Sequence, residues 1–218
     1  MNDQFHSSDL HFGHARIAEF SGRPFPHTPD GVLEMNEAIV DAWNATVGPH
    51  DLVWVHGDVA MGTIVDSLGY IARLNGVLHL IRGNHDRCSH QYGHRNPAKV
   101  AEWTERYLEA GFASVTDTAT LATDQVVAVT PNREGVLMTH FPYEGDSQEG
   151  DRYSQARPRD EGAWLLHGHV HEAWRQRGRQ INVGIDAWGG RPVSIDEIVE
   201  LIAAGPRDLA PLPWSATH

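Results

Sequence analysis

The chain carries one cysteine and one lysine. Cys88 has no partner for an internal disulfide, so the fold must rest on packing alone. Lys99 leaves arginine as nearly the whole basic complement, a compositional bias to which no function attaches. Positive charge is scarce overall: 17 Lys and Arg stand against 29 Asp and Glu, for a formal net charge of -12. That balance disfavours stable binding to nucleic acid or to an anionic membrane, both of which need basic surface. No apolar run approaches the roughly 18–20 residues that span a bilayer. The start, Met1-Asn2-Asp3-Gln4-Phe5-His6, lacks the basic and apolar regions of a secretory signal. With the lone cysteine, this points to a cytoplasmic protein. There is no internal repeat, no low-complexity segment and no P-loop to cradle a nucleotide.

What is present is 218 residues, 40% hydrophobic and 21% charged, the size and composition of one soluble domain. We read 1–205 as that domain. The remainder, 206–218, carries three prolines and reads as a loose extension or a surface strap. Leu52–Val55 and Val77–Ile81 have the make-up of buried strands. Between them Ile64, Val65, Leu68, Ile71 and Leu74 recur near helical spacing, so 64–74 reads as a helix. Strand, helix, strand implies a parallel pair with a right-handed crossover. Longer helices are expected over 30–46 and 97–109. The second half reads as strands at Val126–Val129, Val136–Met138 and Trp164–Leu166, with a hairpin about Arg177-Gly178-Arg179. A closing helix over 194–204 has Ser194 as N-cap and Glu197 to complete a capping box. Two long loops remain, 87–96 and 142–162, and loops of that length are often functional.

Histidine is abundant, with fifteen in the chain. Their placement matters more than their number. Five clusters share one layout, an apolar run followed by ligand-type residues: Ser8-Asp9-Leu10-His11, Gly57-Asp58, Gly83-Asn84-His85-Asp86, Thr139-His140 and Gly168-His169-Val170-His171. In an open α/β sheet the carboxyl ends of the strands converge on one crevice, where such residues can meet. A glycine before the ligand lets the backbone turn sharply off its strand. Carboxylate, amide oxygen and imidazole suit Mn, Fe, Zn, Ni or Co. Asp9, His11, Asp58, Asn84, His140, His169 and His171 make seven candidate ligands. One catalytic zinc needs about three, so seven fit two divalent ions, with the two oxygens of Asp58 suited to bridge them.

In this order, Asp-x-His, Gly-Asp, Gly-Asn-His-Asp, His and Gly-His-x-His resemble the calcineurin-like metallophosphoesterase superfamily, from Asp9 to His171. The opening Ser8–His14 and the closing Asn182-Val183-Gly184-Ile185-Asp186-Ala187-Trp188 resemble its small, single-domain bacterial and phage members. The resemblance implies a four-layer αββα sandwich of two mixed sheets flanked by helices; the pattern alone supports only α/β. It implies one metal on Asp9, His11, Asp58 and His171, and a second on Asp58, Asn84, His140 and His169, with Mn first and Fe, Zn, Ni or Co as alternatives. His85 would contact the phosphoryl group and protonate the leaving alkoxide, with Asp86 orienting it, while a metal-bridging hydroxide attacks in line. Asn84, His85, His14 and Arg87 form the expected substrate-binding set; His14 departs from the shared ligands, and a surface ion pair competes for Arg87. The expected function is a phosphodiesterase acting on a small nucleotide-like diester, such as a 2′,3′- or 3′,5′-cyclic nucleotide. The rivals are a phosphomonoesterase or nucleotide pyrophosphatase on the same site, and a non-catalytic protein-binding scaffold. A homodimer is compatible with the small subgroup.

Overall fold

A computed structural model describes residues 2–91, 96–148 and 150–215. Tyr92, His94 and Arg95 of the first loop and the last three residues, His218 included, lie outside these. In chain order the strands are β1 (Gln4–Ser7), β2 (Leu52–Val55), β3 (Val77–Ile81), β4 (Phe112–Thr116), β5 (Ala119–Leu121), β6 (Val136–Met138), β7 (Leu165–His167), β8 (Gln176–Arg177), β9 (Gln180–Asn182) and β10 (Val193–Ser194). The α-helices are α1 (Ile17–Phe20), α2 (Pro29–Thr46), α3 (Ile64–Leu68), α4 (Pro97–Ala110), α5 (Asp124–Val129) and α6 (Ile195–Ala203).

The strands form two mixed five-stranded sheets, ordered β10-β1-β2-β3-β4 and β5-β6-β7-β9-β8. In the first, β1 to β4 run parallel and β10 antiparallel; in the second, β6, β7 and β9 run parallel. The β2–α3–β3 crossover pairs Leu52 with Val77 through Val55 with Leu80, as the βαβ pattern requires. One core packs Val53, Val55, Leu78 and Leu80 against Met35, Ile39 and Trp43 of α2 and Trp103 and Tyr107 of α4. The other packs Val136, Met138, Leu166 and Ile181 with Val126 of α5 and Ile198, Leu201 and Ile202 of α6. The α/β sandwich with flanking helices is the architecture expected.

A hydrogen-bonded chain of buried imidazoles links the sheets. Gln4 Nε2 donates to His6 Nε2 (3.1 Å), His6 Nδ1 to His56 Nε2 (3.1 Å), and His56 Nδ1 to the Thr139 carbonyl (3.1 Å). An amide donor at one end and a carbonyl at the other fix both tautomers and keep both rings neutral. Among the histidines, His6 has the ordinary expectation of a solvated position; strand pairing instead places it in this interior.

Helix ends follow their sequence signals. Thr28 caps α2, accepting from the Gly31 amide (3.1 Å), and Pro29 stands in the first turn, where its missing N–H costs nothing. Ser194 and Glu197 form the complete capping box of α6. Two expectations are corrected. Val126–Val129 is not a strand: Thr123 accepts from the Val126 amide to start α5, and Val126 is buried in the second core. Local capping and tertiary packing override the strand preference of its valines. Nor is 64–74 one helix; α3 ends at Leu68, capped by Gly69, and a 3-10 turn at Ile71–Arg73 follows. Through residue 215 the tail is strapped onto the fold. Leu209 bridges to Gln176 and Leu212 to Trp188, and Trp214 meets the Phe25 ring edge-on at 5.7 Å.

Candidate metal and phosphoester site

Parallel pairing brings the five clusters to one end of the molecule. Asp9, Asp58 and Asn84 follow β1, β2 and β3; His140 follows β6, and His169 and His171 follow β7. The segment after β9 joins the two sheets there, with Ile185 N donating to the Ser8 carbonyl (3.1 Å) and Val183 N to that of His167 (2.7 Å).

The backbone at these loops is unusual. Seven described non-glycine residues have positive φ, and five are candidate ligands: Asp9 (58°), His11 (52°), Asp58 (56°), His169 (71°) and His171 (48°). This left-handed region costs an L-residue roughly 1–2 kcal/mol, and such strain clusters at functional sites. Close backbone approach explains the glycines. A Cβ on Gly83 would stand 2.2 Å from Asp58 Oδ1, and one on Gly168 would stand 2.5 Å from Asp9 Oδ2.

The side chains form a buried nest of acceptors. Asp58 Oδ2 lies 3.8 Å from His11 Nε2 and 3.5 Å from His140 Nε2, between the two expected ligand sets. Asp58 Oδ1 accepts from the His85 amide (2.8 Å). Ligand atoms of Asp9, His11 and His171 fall within 4.8 Å of one another, as do those of Asp9, Asp58 and His140. His140 Nδ1 donates to the His56 carbonyl (2.7 Å), so its Nε2 carries a lone pair, yet Nε2 faces Asn84 Oδ1 at 3.0 Å. Both ring nitrogens of His11 are buried without a hydrogen-bond partner. Burial lowers the pKa of His11 and of His140, so both rings are neutral. Converging lone pairs repel unless a cation lies among them, and a buried polar atom without a partner is costly. The donor set therefore fits divalent ions.

Outer partners orient the ligands. His171 Nδ1 donates to Asp186 (2.9 Å), which is itself ion-paired with fully buried Arg23 (2.8 Å). Burial would depress the His171 pKa, but Asp186 and Asp9 hold it at about 9. Arg23 also donates to the carbonyls of Asp9 (2.7 Å) and Leu10 (3.0 Å). His169 Nε2 donates to Asp146 of the second long loop (3.1 Å). With Nε2 so engaged, Nδ1 is the ring nitrogen left for an ion. Sequence reasoning missed Arg23, Asp146 and, as a functional residue, Asp186: no local motif marks the first two, and Asp186 enters it only as part of the closing motif, because Arg23 meets Asp186 across 163 residues and Asp146 meets His169 across 23.

A cavity of about 190 Å³ opens over the cluster, walled by His11, His14, Asp58, His85, His169 and His171. A larger hollow of about 480 Å³ lies between α3 and α4, near Val65, Leu68 and Trp103, and holds none of these groups. His14 lines the cavity over the cluster, with its ring 5.5 Å from that of His11 and its Nδ1 accepting from the Arg16 amide (3.1 Å).

Two sequence expectations are corrected. Asp86 does not orient His85. Its carboxylate accepts from the amides of Asp58 (3.0 Å), Val59 (3.0 Å) and Gly83 (2.7 Å) and from the Tyr107 hydroxyl (3.2 Å). It clamps the two ligand loops together. Arg87 does not line the cavity; its guanidinium lies over the Trp103 ring at 4.8 Å. Cys88 is buried and its pKa is raised by that burial, against any role as a nucleophile.

Comparison with known proteins agrees with this geometry. Residues 5–185 match the calcineurin-like phosphoesterase superfamily domain. The chain is 35% identical over 211 residues to the Gene 66 protein of Mycobacterium phage L5, covering 93% of this chain and 95% of that one. The Gene 66 protein of Mycobacterium phage D29 is also 35% identical, over 212 residues, with 93% and 96% covered. In fold, the chain resembles a protein of unknown function, AQ665 from Aquifex aeolicus, with a TM-score of 0.64 at 20% identity, covering 92% of this chain and 100% of that one. No described helix is long and apolar enough to cross a membrane. With a family match over most of its length and two relatives at 35% identity, the chain belongs to the calcineurin-like phosphoesterase superfamily and is a metal-dependent phosphoester hydrolase.

Proposed function

We propose that the chain is a dinuclear-metal phosphodiesterase acting on a small nucleotide-like diester, with cyclic nucleotides such as 2′,3′-cAMP or 3′,5′-cAMP in its range. One ion is assigned to Asp9, His11, Asp58 and His171, and the other to Asp58, Asn84, His140 and His169, with manganese as the first choice of metal. The observation that carries this reading is the small cavity, with the acceptor cluster as its floor and His85 and His14 in its wall. About 190 Å³ has room for a phosphoryl group and part of a small substituent, not for a protein segment. Divalent ions at such a site supply positive charge to the phosphoryl oxygens and lower the pKa of water. His85 contacts a phosphoryl oxygen and delivers a proton to the departing oxygen. An alkoxide is a poor leaving group, so a positioned proton donor favours a diester of an alcohol. Asn84 and His14 complete the proposed substrate-binding set, His14 from the cavity wall. The lone, buried Cys88 fits a reducing, cytoplasmic setting.

The test is a comparison of metal-reconstituted protein on bis-p-nitrophenyl phosphate and p-nitrophenyl phosphate, followed by cyclic nucleotides. Faster cleavage of the diester is expected. A clear preference for the monoester would replace this reading with a phosphomonoesterase. Cleavage of neither with Mn, Fe, Ni or Zn would leave the proposed activity without support.

A further inference from the structure

The loop 142–162 is a built element, and its organising group is a buried carboxylate. Asp146 has a fully buried side chain and binds three basic partners: His169 Nε2 (3.1 Å), Arg157 (3.2 Å) and Arg152, through Nε at 3.1 Å and also through Nη2. Arg157 in turn donates to the carbonyls of Gly145 (2.8 Å) and Arg152 (2.9 Å), closing the loop on itself. Arg157 is almost wholly buried, whereas the Arg152 side chain is 37% exposed. Arg152 lines the cavity over the ligand cluster, and no other described arginine or lysine does so. Its side-chain bonds to Asp146 and Ser147 use Nε and Nη2, and Nη1 has no hydrogen-bond partner among the described residues. Glu172 lines the same cavity with a buried, unpartnered oxygen, so among the described residues Arg152 is the permanent cation in a wall that also holds the carboxylates of Asp58 and Glu172.

We propose that Arg152 binds a non-bridging phosphoryl oxygen of the substrate, and that Asp146 positions both this guanidinium and the His169 imidazole. The inference rests on the phosphoesterase reading of the site and adds a specificity-determining residue to it. Asp146 occupies one edge of the guanidinium and fixes its plane, as carboxylates do in fork-like pairs. The Nη1 corner remains to donate a single charge-assisted hydrogen bond into the cavity. The ligand class is a phosphate monoanion or dianion small enough to reach the cluster floor. Arginine holds its charge at any working pH, so this contact does not switch with protonation. Asp146 acts through other groups and is a positioning residue. Its contact with His169 makes loop order and ligand orientation one event, since an imidazole ligand is commonly held by a carboxylate on its second nitrogen.

The test compares wild type, Arg152→Gln, Arg152→Lys and Asp146→Asn, each reconstituted with manganese. Metal content is measured by elemental analysis, inorganic phosphate binding by calorimetry, and kcat and KM with bis-p-nitrophenyl phosphate. Arg152→Gln is expected to keep its metal while phosphate binding weakens at least about tenfold. Arg152→Lys should recover part of that loss. Asp146→Asn should weaken phosphate binding and lower metal content together, which separates positioning from direct contact. The proposal is overturned if Arg152→Gln binds phosphate as tightly as wild type, or if it loses metal as Asp146→Asn does. It is also overturned if metal-loaded wild type fails to bind phosphate. Wild type that binds phosphate but cleaves no diester would sink the proposed function while the Arg152 contact stands on the binding data.

Discussion

Single side chains divide the labour at this site in a way that substitutions can separate. His85 is assigned to proton transfer and contributes only its backbone amide to Asp58. His85→Ala should therefore retain its metal while kcat falls about 10²–10⁴-fold, the usual worth of a general acid. Asp58→Ala should lose both metal and turnover, because Asp58 Oδ2 faces His11 and His140 together. Equal metal loss in the two variants would contradict these roles. Asp186 offers a subtler case. It holds His171 in the tautomer that leaves Nε2 for an ion, so Asp186→Asn should weaken metal binding about 10–100-fold with little change in fold. His171, with its pKa held at about 9 in the metal-free protein, must surrender a proton when an ion binds. Metal affinity should therefore fall as pH drops below about 9. Calorimetry in two buffers of different ionisation enthalpy would read that proton directly; identical heats would refute it.

Among the elements, the loops at the strand ends are more constrained than the strands that deliver them. Gly83 and Gly57 face each other so closely that a Cβ on Gly57 would stand 2.4 Å from the Gly83 amide nitrogen. Gly83→Ala should displace Asp58 and abolish metal binding, whereas Gly178→Ala, at φ 56° in the β8–β9 hairpin with open space around its Cβ position, should cost some stability and leave metal binding intact. Paired metal analysis of the two variants checks this. Asp86 holds the same two loops through three backbone amides. Its replacement by alanine strands buried donors at about 1–3 kcal/mol each, so it should lower the melting temperature far more than His85→Ala does. The C-terminal strap reaches the site from the other side. Trp214 lies over the Arg23 guanidinium at 5.6 Å, and Arg23 holds the Asp9 and Leu10 carbonyls. Its cation–π contact places the strap against the outer layer of the metal centre.

For the whole molecule, acid sensitivity follows from neutral imidazoles in the interior. Burial lowers His56 to about 4 and His167 to about 3, while the unfolded chain titrates near 6.5. Between those values the unfolded state takes up protons that the native state refuses. Stability is thus fully present above pH 6.5 and falls as pH drops towards 4, by about 1.4 kcal/mol per pH unit for each such group. Urea titration of metal-free protein from pH 7.5 to 4.5 should show this loss; a flat profile would rule it out. The buried carboxylates act in the opposite sense. Burial raises Asp9, Asp58 and Asp86, so removing the ions at neutral pH leaves like charges crowded together. Chelation should lower the melting temperature, and readdition of manganese should restore it.

The linear sequence carried most of the elements and the candidate ligands, because both are written in local signals. Strand runs at 52–55 and 77–81, the Thr28 and Ser194 caps, and a glycine ahead of Asp58, Asn84 and His169 act within a few residues of themselves. Their order also carried the family resemblance. Tertiary structure decided what those residues touch. Val126–Val129 became helix because a cap and a neighbouring core outweighed β-branched preference. Asp86 became a clamp rather than a partner of His85, since strands β2 and β3 bring two loops within reach of its carboxylate. Arg87 turned to Trp103, and the guanidinium in the cavity came instead from Arg152. Arg23 met Asp186 across 163 residues. Such contacts depend on where two distant backbones converge and on which buried charge must be neutralised, and neither is a property of any short stretch of chain.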